Sequence, residues 1–117
     1  QPDSPIDRSM LDSIRMLQGN SEEDLLQKVI NNYLHDSEQL MNTLQKAIEN
    51  EDCDSIRTAA HSLKSSSSNV GAIQVSSLCK KLEQNGREKS LEGVNELFVE
   101  LQNEYDQTRL LLQKEIQ

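Results

Sequence analysis

Residues 25–48 read LLQKVINNYLHDSEQLMNTLQKAI, and apolar side chains recur through this stretch every three or four residues. Side chains at that spacing lie on one face of an α-helix. The stripe runs from Leu26 to Ile48 and keeps its phase through His35, which itself falls on the polar face. The pattern therefore predicts one long helix over residues 22–50 with one buried face.

Further amphipathic segments lie on both sides of this helix. They predict a short helix that Asp7 or Ser9 caps and that ends near Gln18, followed after the long helix by helices over about 54–69, 72–85 and 91–114. Ser21 is the expected N-cap of the long helix. Asn and Gly residues at 19–20, 69–71 and 85–86 mark the predicted breaks.

Four long helices with short connections favour antiparallel neighbours. We therefore predict an all-α fold, an antiparallel up-down-up-down four-helix bundle with an additional short N-terminal helix. The 117 residues are enough for one domain and too few for two. We expect residues 1–5 to be a linker remnant and the bundle to occupy about 22–114.

The charge and cysteine content narrow the classes of partner. The chain carries 20 acidic and 12 basic residues, whereas nucleic acids and anionic membranes reward clustered Lys and Arg. We expect no nucleic acid and no direct membrane contact. Cys53 and Cys79 lack zinc-ligand spacing, so no metal site is predicted. No apolar run approaches the ~20 residues that span a bilayer.

A serine-rich stretch, AAHSLKSSSSNVGA at residues 59–72, interrupts the ordinary amphipathic pattern. Serine is a poorer helix former than alanine, so a flexible linker is one interpretation. However, Ile56, Leu63 and Val70 keep helical phase across the run. The phase favours a helix whose small side chains leave space around a neighbour.

That neighbour is His61. At about 100° per residue it lies about 200° from Leu63 and points away from the predicted core. The residues that share its face are Arg57, Lys64, Ser65 and Ser68. A cation beside a histidine disfavours the imidazolium form and would stabilise a bound anion. From the residues alone, an exposed histidine beside a lysine is more often an ordinary surface residue than a site.

The string HSLKSSSSNVGA at 61–72, followed by LCKKLE at 78–83, resembles the signature of the histidine phosphotransfer (HPt) family of two-component phosphorelays. The positions in register are His61, Leu63, Lys64, Ser66, Asn69, Val70, Gly71, Ala72, Leu82 and Glu83. Weaker similarity extends over the rest of the chain. The resemblance implies a phosphorelay intermediate that accepts a phosphoryl group from a receiver-domain aspartate and passes it to an aspartate of a response regulator.

The resemblance also assigns roles to single residues. His61 would be phosphorylated on Nε2, and Lys64 would stabilise the phosphoryl oxygens. Glu83 would bind the other ring nitrogen and orient the imidazole. The residues expected at the docking face, beside those around His61, are Met10, Ile14, Lys80 and Arg87.

The implied partner is the receiver domain of a hybrid kinase, a response regulator, or both. That partner would supply Mg²⁺, and the domain itself would bind no cofactor. The sequence has no Gly-rich phosphate loop, P-loop or kinase motif, so we expect a phosphotransfer protein without ATP binding or autokinase activity. A monomer is expected.

The chain begins with Gln1. We expect it to be the cytoplasmic C-terminal part of a membrane-anchored hybrid sensor kinase, and a stand-alone protein is the alternative.

One residue departs from the family pattern. Ser65 stands where the family usually has Gly, one turn from His61 on the same face. We expect phosphotransfer to survive this change, with tighter access to the imidazole and an altered choice of partner. The same departure supports an alternative function, a helical adaptor that docks receiver domains without phosphotransfer.

Two further classes of site are excluded by the residues next to the histidines. Neither His35 nor His61 has a Glu three residues before it, as di-metal bundles require. A Ser-His hydrolase fails because His61 and Ser62 are adjacent on a helix and face different directions.

Overall fold

The computed structural model describes residues 5–18 and 25–116, which form five α-helices and no β-strand. The helices are α1 (Arg8–Gln18), α2 (Leu25–Glu49), α3 (Cys53–Asn69), α4 (Ile73–Glu88) and α5 (Val94–Glu115). Helices α2 to α5 form the bundle, and α1 packs against α2. The predicted fold class is therefore confirmed. In this part of the chain, no helix is long and apolar enough to cross a bilayer.

The core consists of the apolar stripes that the periodicity predicted. In α2 the buried face includes Leu26, Ile30 and Leu44. In α5 it includes Leu101 and Leu112. These side chains are almost completely removed from water, and their burial provides the main driving force for the packing of the helices.

Two hydroxyl pairs cross this core. Tyr33 of α2 bonds to Ser67 of α3, with 2.7 Å between Oη and Oγ. Ser37, one turn further along α2, bonds to Tyr105 of α5 at 2.7 Å. Burial raises the pKa of Tyr33 far above physiological pH, so this hydroxyl stays neutral. Because an unpaired buried hydroxyl is costly, the two pairs favour one register of α2 against its neighbours.

The α3–α4 turn shows why the serine run is helical and where it ends. The Gly71 N–H donates to the Ser68 carbonyl at 3.1 Å, and the Ala72 N–H donates to the Ser67 carbonyl at 2.8 Å. This is a Schellman motif, which requires the left-handed φ of +77° at Gly71. The predicted end of this helix is confirmed.

Gly71 also connects the turn to α1. Its carbonyl accepts the Asp7 N–H at 2.6 Å, and a Cβ on Gly71 would collide with the Asp7 carbonyl. Asp7 in turn caps α1, because its Oδ1 accepts the Ser9 N–H at 3.0 Å. Of the two predicted caps, Asp7 is therefore the one used.

The predicted end of α4 was wrong. Helix α4 does not stop at Asn85–Gly86 but continues to Glu88, and Lys89 ends it with a φ of 57°. Gly86 is buried, and a Cβ there would lie 2.7 Å from the Arg57 nitrogen and from the Cys53 carbonyl oxygen. The glycine therefore permits close approach of α4 to α3 instead of ending the helix.

The other predicted boundaries differ by smaller amounts. Helix α3 begins at Cys53, because the Asp52 side chain caps it by accepting the Ser55 N–H at 3.1 Å. Helix α5 begins at Val94, three residues later than expected, after Gly93 with a φ of 75°. The predicted cap Ser21 and residues 1–4 of the predicted linker 1–5 lie outside the described residues.

The Tyr33–Ser67 pair can be tested by unfolding. Tyr33→Phe leaves the buried Ser67 hydroxyl without its partner, so we expect a loss of about 1–3 kcal/mol in the free energy of unfolding, measured with urea. The double variant with Ser67→Ala should lose less than the sum of the two single losses. Tyr105→Phe is the matched control with a smaller loss, because Ser37 keeps the Leu34 carbonyl at 3.4 Å. An unchanged stability of Tyr33→Phe contradicts this role.

Candidate functional site

His61 lies on the outer face of α3 with 59% of its side chain exposed. Its Nδ1 is 2.8 Å from Oε2 of Glu83, which extends from α4. The Glu83 side chain is only 7% exposed. The structure therefore places His61 at the surface, where the buried Glu83 carboxylate holds one of its ring nitrogens by a hydrogen bond.

Glu83 has two further partners. Lys64 donates from Nζ to Oε1 at 2.6 Å, and Arg87 donates from Nη2 to Oε2 at 3.3 Å. The hydrogen bond from Lys64, aided by that from His61, outweighs burial and lowers the pKa of Glu83. The carboxylate is therefore ionised at neutral pH.

The ionised carboxylate determines the tautomer of the ring. A carboxylate can only accept hydrogen bonds, so Nδ1 of His61 carries the proton. In a neutral imidazole the lone pair then resides on Nε2. This nitrogen has no hydrogen-bond partner among residues 5–18 and 25–116. The site therefore presents a nucleophilic nitrogen to solvent, and the carboxylate can stabilise the imidazolium that forms when Nε2 reacts.

The local sequence explains how the four side chains meet. Lys64 follows His61 by one helical turn, and Arg87 follows Glu83 by one turn, so each pair shares a face of its helix. The Schellman turn reverses the chain between the helices, and the close approach at Gly86 brings α4 against α3. Residues 22 positions apart in sequence thus become hydrogen-bond partners.

Comparison with known proteins supports the significance of this arrangement. The family model described as "Hpt domain" matches residues 28–110. This chain belongs to the Hpt domain family. The match covers α3 and α4 completely, and with them His61, Lys64, Glu83 and Arg87.

Two curated proteins resemble this Hpt domain. Histidine-containing phosphotransfer protein 1 of rice (Oryza sativa subsp. japonica) is 31% identical over 113 residues, covering 89% of this chain and 76% of that protein. Multistep phosphorelay regulator 1 of Schizosaccharomyces pombe is 28% identical over 92 residues, covering 79% of this chain. The chain spans only 31% of the yeast regulator's length.

A solved structure also resembles this chain. Histidine-containing phosphotransfer protein B (HptB) of Pseudomonas aeruginosa matches with a TM-score of 0.86 at 29% identity. The match covers 97% of this chain and 95% of that chain.

Several of the predicted docking residues of the Hpt domain surround a cavity of about 370 Å³ between α1, α3 and α4. Its lining includes Met10, Lys64, Ser68, Ile73 and Lys80. Met10 and Ile73 are 37% and 42% exposed. Met10 of α1 thus borders the same cavity as Lys64.

Ile14 is half-buried and packs against the core, so less of it reaches the surface than of Met10. Arg57 is exposed one turn before His61, and it forms no ion pair with Glu83 in the described part of the chain. Ser65 is exposed on the His61 face.

Ser68, which was predicted on the His61 face, is exposed on α3. Its hydroxyl bonds to that of Ser76 at 2.7 Å, and Ser76 donates to the Lys64 carbonyl at 3.1 Å. Both hydroxyls therefore connect α3 to α4. Sequence reasoning missed Ser76, whose only signal is its position in the first turn of α4, opposite the serine run.

The sequence prediction also treated Lys64 and Arg57 as free cations beside the ring. The structure instead pairs Lys64 with Glu83, and Arg87 joins them. The i, i+4 spacing of Glu83 and Arg87 was a readable signal for the second ion pair. The charge next to His61 is therefore the buried Glu83 carboxylate, which His61 shares with Lys64 and Arg87.

The pH dependence of stability tests this ionised carboxylate. The pKa of Glu83 is lowered from 4.5 by folding, so its stabilising contribution is fully present above pH 4.5 and disappears as pH falls through the folded-state pKa. We expect Glu83→Gln to unfold about 1–2 kcal/mol more easily than wild type at pH 7. In urea titrations at lower pH, this gap should close. A gap that is constant from pH 7 to pH 3 contradicts an ionised Glu83.

Proposed function

We propose that this Hpt domain is a phosphorelay intermediate that carries a phosphoryl group on Nε2 of His61. The group would come from the aspartyl phosphate of one receiver domain and pass to the aspartate of a response regulator. The observation that carries the proposal is the 2.8 Å bond between Nδ1 of the exposed His61 and the buried Glu83. The names of the rice, yeast and bacterial relatives refer to the same process.

The chemical step is an in-line displacement at phosphorus. The lone pair on Nε2 of His61 forms the P–N bond while the bond from phosphorus to the aspartate oxygen breaks. The electron pair of that bond stays on the aspartate, which leaves as a carboxylate. The imidazole ring gains positive charge, and the Nδ1–H bond to the Glu83 carboxylate stabilises it. The second transfer reverses these changes with a different aspartate.

Lys64 provides the charge for the phosphoryl oxygens. Its Nζ bonds to Glu83 Oε1 at 2.6 Å, one turn from His61 on the same helix. We propose that Lys64 turns from the carboxylate towards the phosphoryl group when the group arrives on His61. Arg87 and Nδ1 of His61 remain to compensate Glu83, so the buried carboxylate is never left without a donor.

The remaining requirements would be met by the partner. Phosphoryl transfer from aspartate uses Mg²⁺ to neutralise charge, and we propose that the receiver domain brings it. No cofactor is assigned to the Hpt domain, and no ATP binding or autokinase activity is expected from its sequence.

Charge distribution supports an acidic partner surface. Residues 57–89 hold six of the 12 basic residues of the chain but only two of its 20 acidic residues. A receiver's acidic phosphorylation pocket is complementary to this positive region, which would raise the association rate at low salt. Exposed apolar surface at Met10 and Ile73 lies beside Lys64 and Lys80 and completes the proposed docking face.

We also propose that the domain acts as a monomer in the cytoplasm, either as the C-terminal part of a hybrid sensor kinase or as a separate protein. The relatives differ in the share of their length that this chain spans. The chain spans 31% of the yeast regulator but 95% of the HptB chain.

The phosphate acceptor can be tested directly. On mixing with a phosphorylated receiver, the wild type should gain acid-labile, alkali-stable label. His61→Gln should gain none, whereas His35→Gln, the matched control at an exposed histidine of α2, should label normally. A wild type that binds the receiver but takes no label would instead establish the adaptor function that Ser65 suggests. Label on His61→Gln would refute the site.

Lys64 has a separate kinetic signature. We expect Lys64→Ala to slow phosphoryl transfer about 10- to 1000-fold, the range for a lost charge in the transition state. Lys46→Ala, at an exposed position of α2, should transfer at the wild-type rate. Rapid-quench measurements of the labelled receiver would check both. Equal rates for the two variants would contradict the role of Lys64.

A further inference from the structure

Helix α1 contributes Met10 to the proposed docking face, so the orientation of this helix matters. It has only 11 residues, and helices this short are marginal by themselves. Ile6 and Leu11 are buried in the core, and the Asp7–Gly71 bond fixes the start of α1. A further contact joins α1 to α5.

That contact is an ion-pair cluster of Arg8, Arg15 and Glu115. Oε1 of Glu115 accepts from Nη1 of Arg8 at 2.6 Å, and Oε2 accepts from Nη2 of Arg15 at 2.6 Å. The Glu115 side chain is only 11% exposed. One carboxylate at the end of α5 therefore bridges two turns of α1.

The position of Glu115 is unfavourable for its own helix. It is the last residue of α5, where the helix dipole disfavours negative charge. Burial would raise the pKa of Glu115, but the hydrogen bonds from Arg15 and Arg8 outweigh burial and hold it below its usual value. The carboxylate therefore serves the contact with α1 and not the stability of α5.

The cluster and the docking side chains are on opposite sides of α1. At about 100° per residue, Arg8 and Arg15 lie within about 20° of each other. Met10, Ile14 and Leu17 lie about 180–240° from Arg8. Leu17 is 81% exposed. With both arginines held by α5, this stripe lies on the other side of α1, where Met10 borders the cavity next to Lys64 and Ile14 packs partly against the core.

We propose that Glu115 is a positioning residue for receiver docking: by holding Arg8 and Arg15, it fixes the rotation of α1 and presents the Met10–Ile14–Leu17 stripe to the partner. The inference rests on the proposed phosphotransfer function but concerns docking, since Glu115 pairs with Arg8 and Arg15 and not with the side chains that bond to Glu83. Its effect should therefore be on the receiver concentration that half-saturates transfer and not on the maximal rate.

The test uses Glu115→Gln in the full chain, with transfer from a phosphorylated receiver measured over a range of receiver concentrations. We expect KM to rise about three- to tenfold with an unchanged maximal rate, because uniform binding is lost and transition-state contacts are kept. Labelling of His61 by phosphoramidate, which needs no docking, should equal that of wild type. Glu100→Gln, at an exposed position of α5, should leave KM unchanged.

Arg15→Gln provides a second, milder variant in which Arg8 still holds Glu115, and it should raise KM by less. A wild-type KM for both variants overturns the inference, as does a lowered maximal rate with unchanged KM. If wild type itself takes no label from either the receiver or phosphoramidate, the proposed function fails instead. The two failures are thus distinguishable.

Discussion

The buried carboxylate of Glu83 is the interaction on which the site depends. The Glu83 side chain is negatively charged but only 7% exposed. A buried charge of this kind is stable only when hydrogen-bond donors are well placed around it. His61, Lys64 and Arg87 are those donors. Satisfying the carboxylate therefore orients the imidazole, assigns its proton to Nδ1 and holds a lysine within reach of the ring.

The fold provides the geometry for that carboxylate. Gly71 permits the left-handed turn that reverses the chain after α3, and Gly86 lets α4 approach α3 closely enough for the 2.8 Å bond to His61. At neither position can a side chain be added without a collision. The small residues of the α3–α4 pair thus serve the site as much as the packing.

Local patterns predicted the helices, because period and phase are properties of neighbouring residues. They predicted the buried stripes and the end of α3 before Gly71 correctly. They failed at Gly86, where a contact with α3 and not the local backbone explains the glycine. The face of His61 was predictable from phase, whereas the role of Glu83 was implied only by family resemblance. The pairing of Arg8 and Arg15 with Glu115, about 100 residues away, had no local signal.

The most direct test of the account is the nitrogen NMR spectrum of His61, recorded from ¹⁵N-labelled protein before and after phosphorylation. The account predicts that the neutral form of the ring carries its proton on Nδ1 before phosphorylation, and that the phosphoryl group is on Nε2 with the Nδ1 proton retained afterwards. Glu83→Gln is the control, because the oxygen of its amide can accept a hydrogen bond from the same Nδ1–H group but carries no negative charge. A ring protonated on Nε2, or a phosphoryl group on Nδ1, would contradict the account.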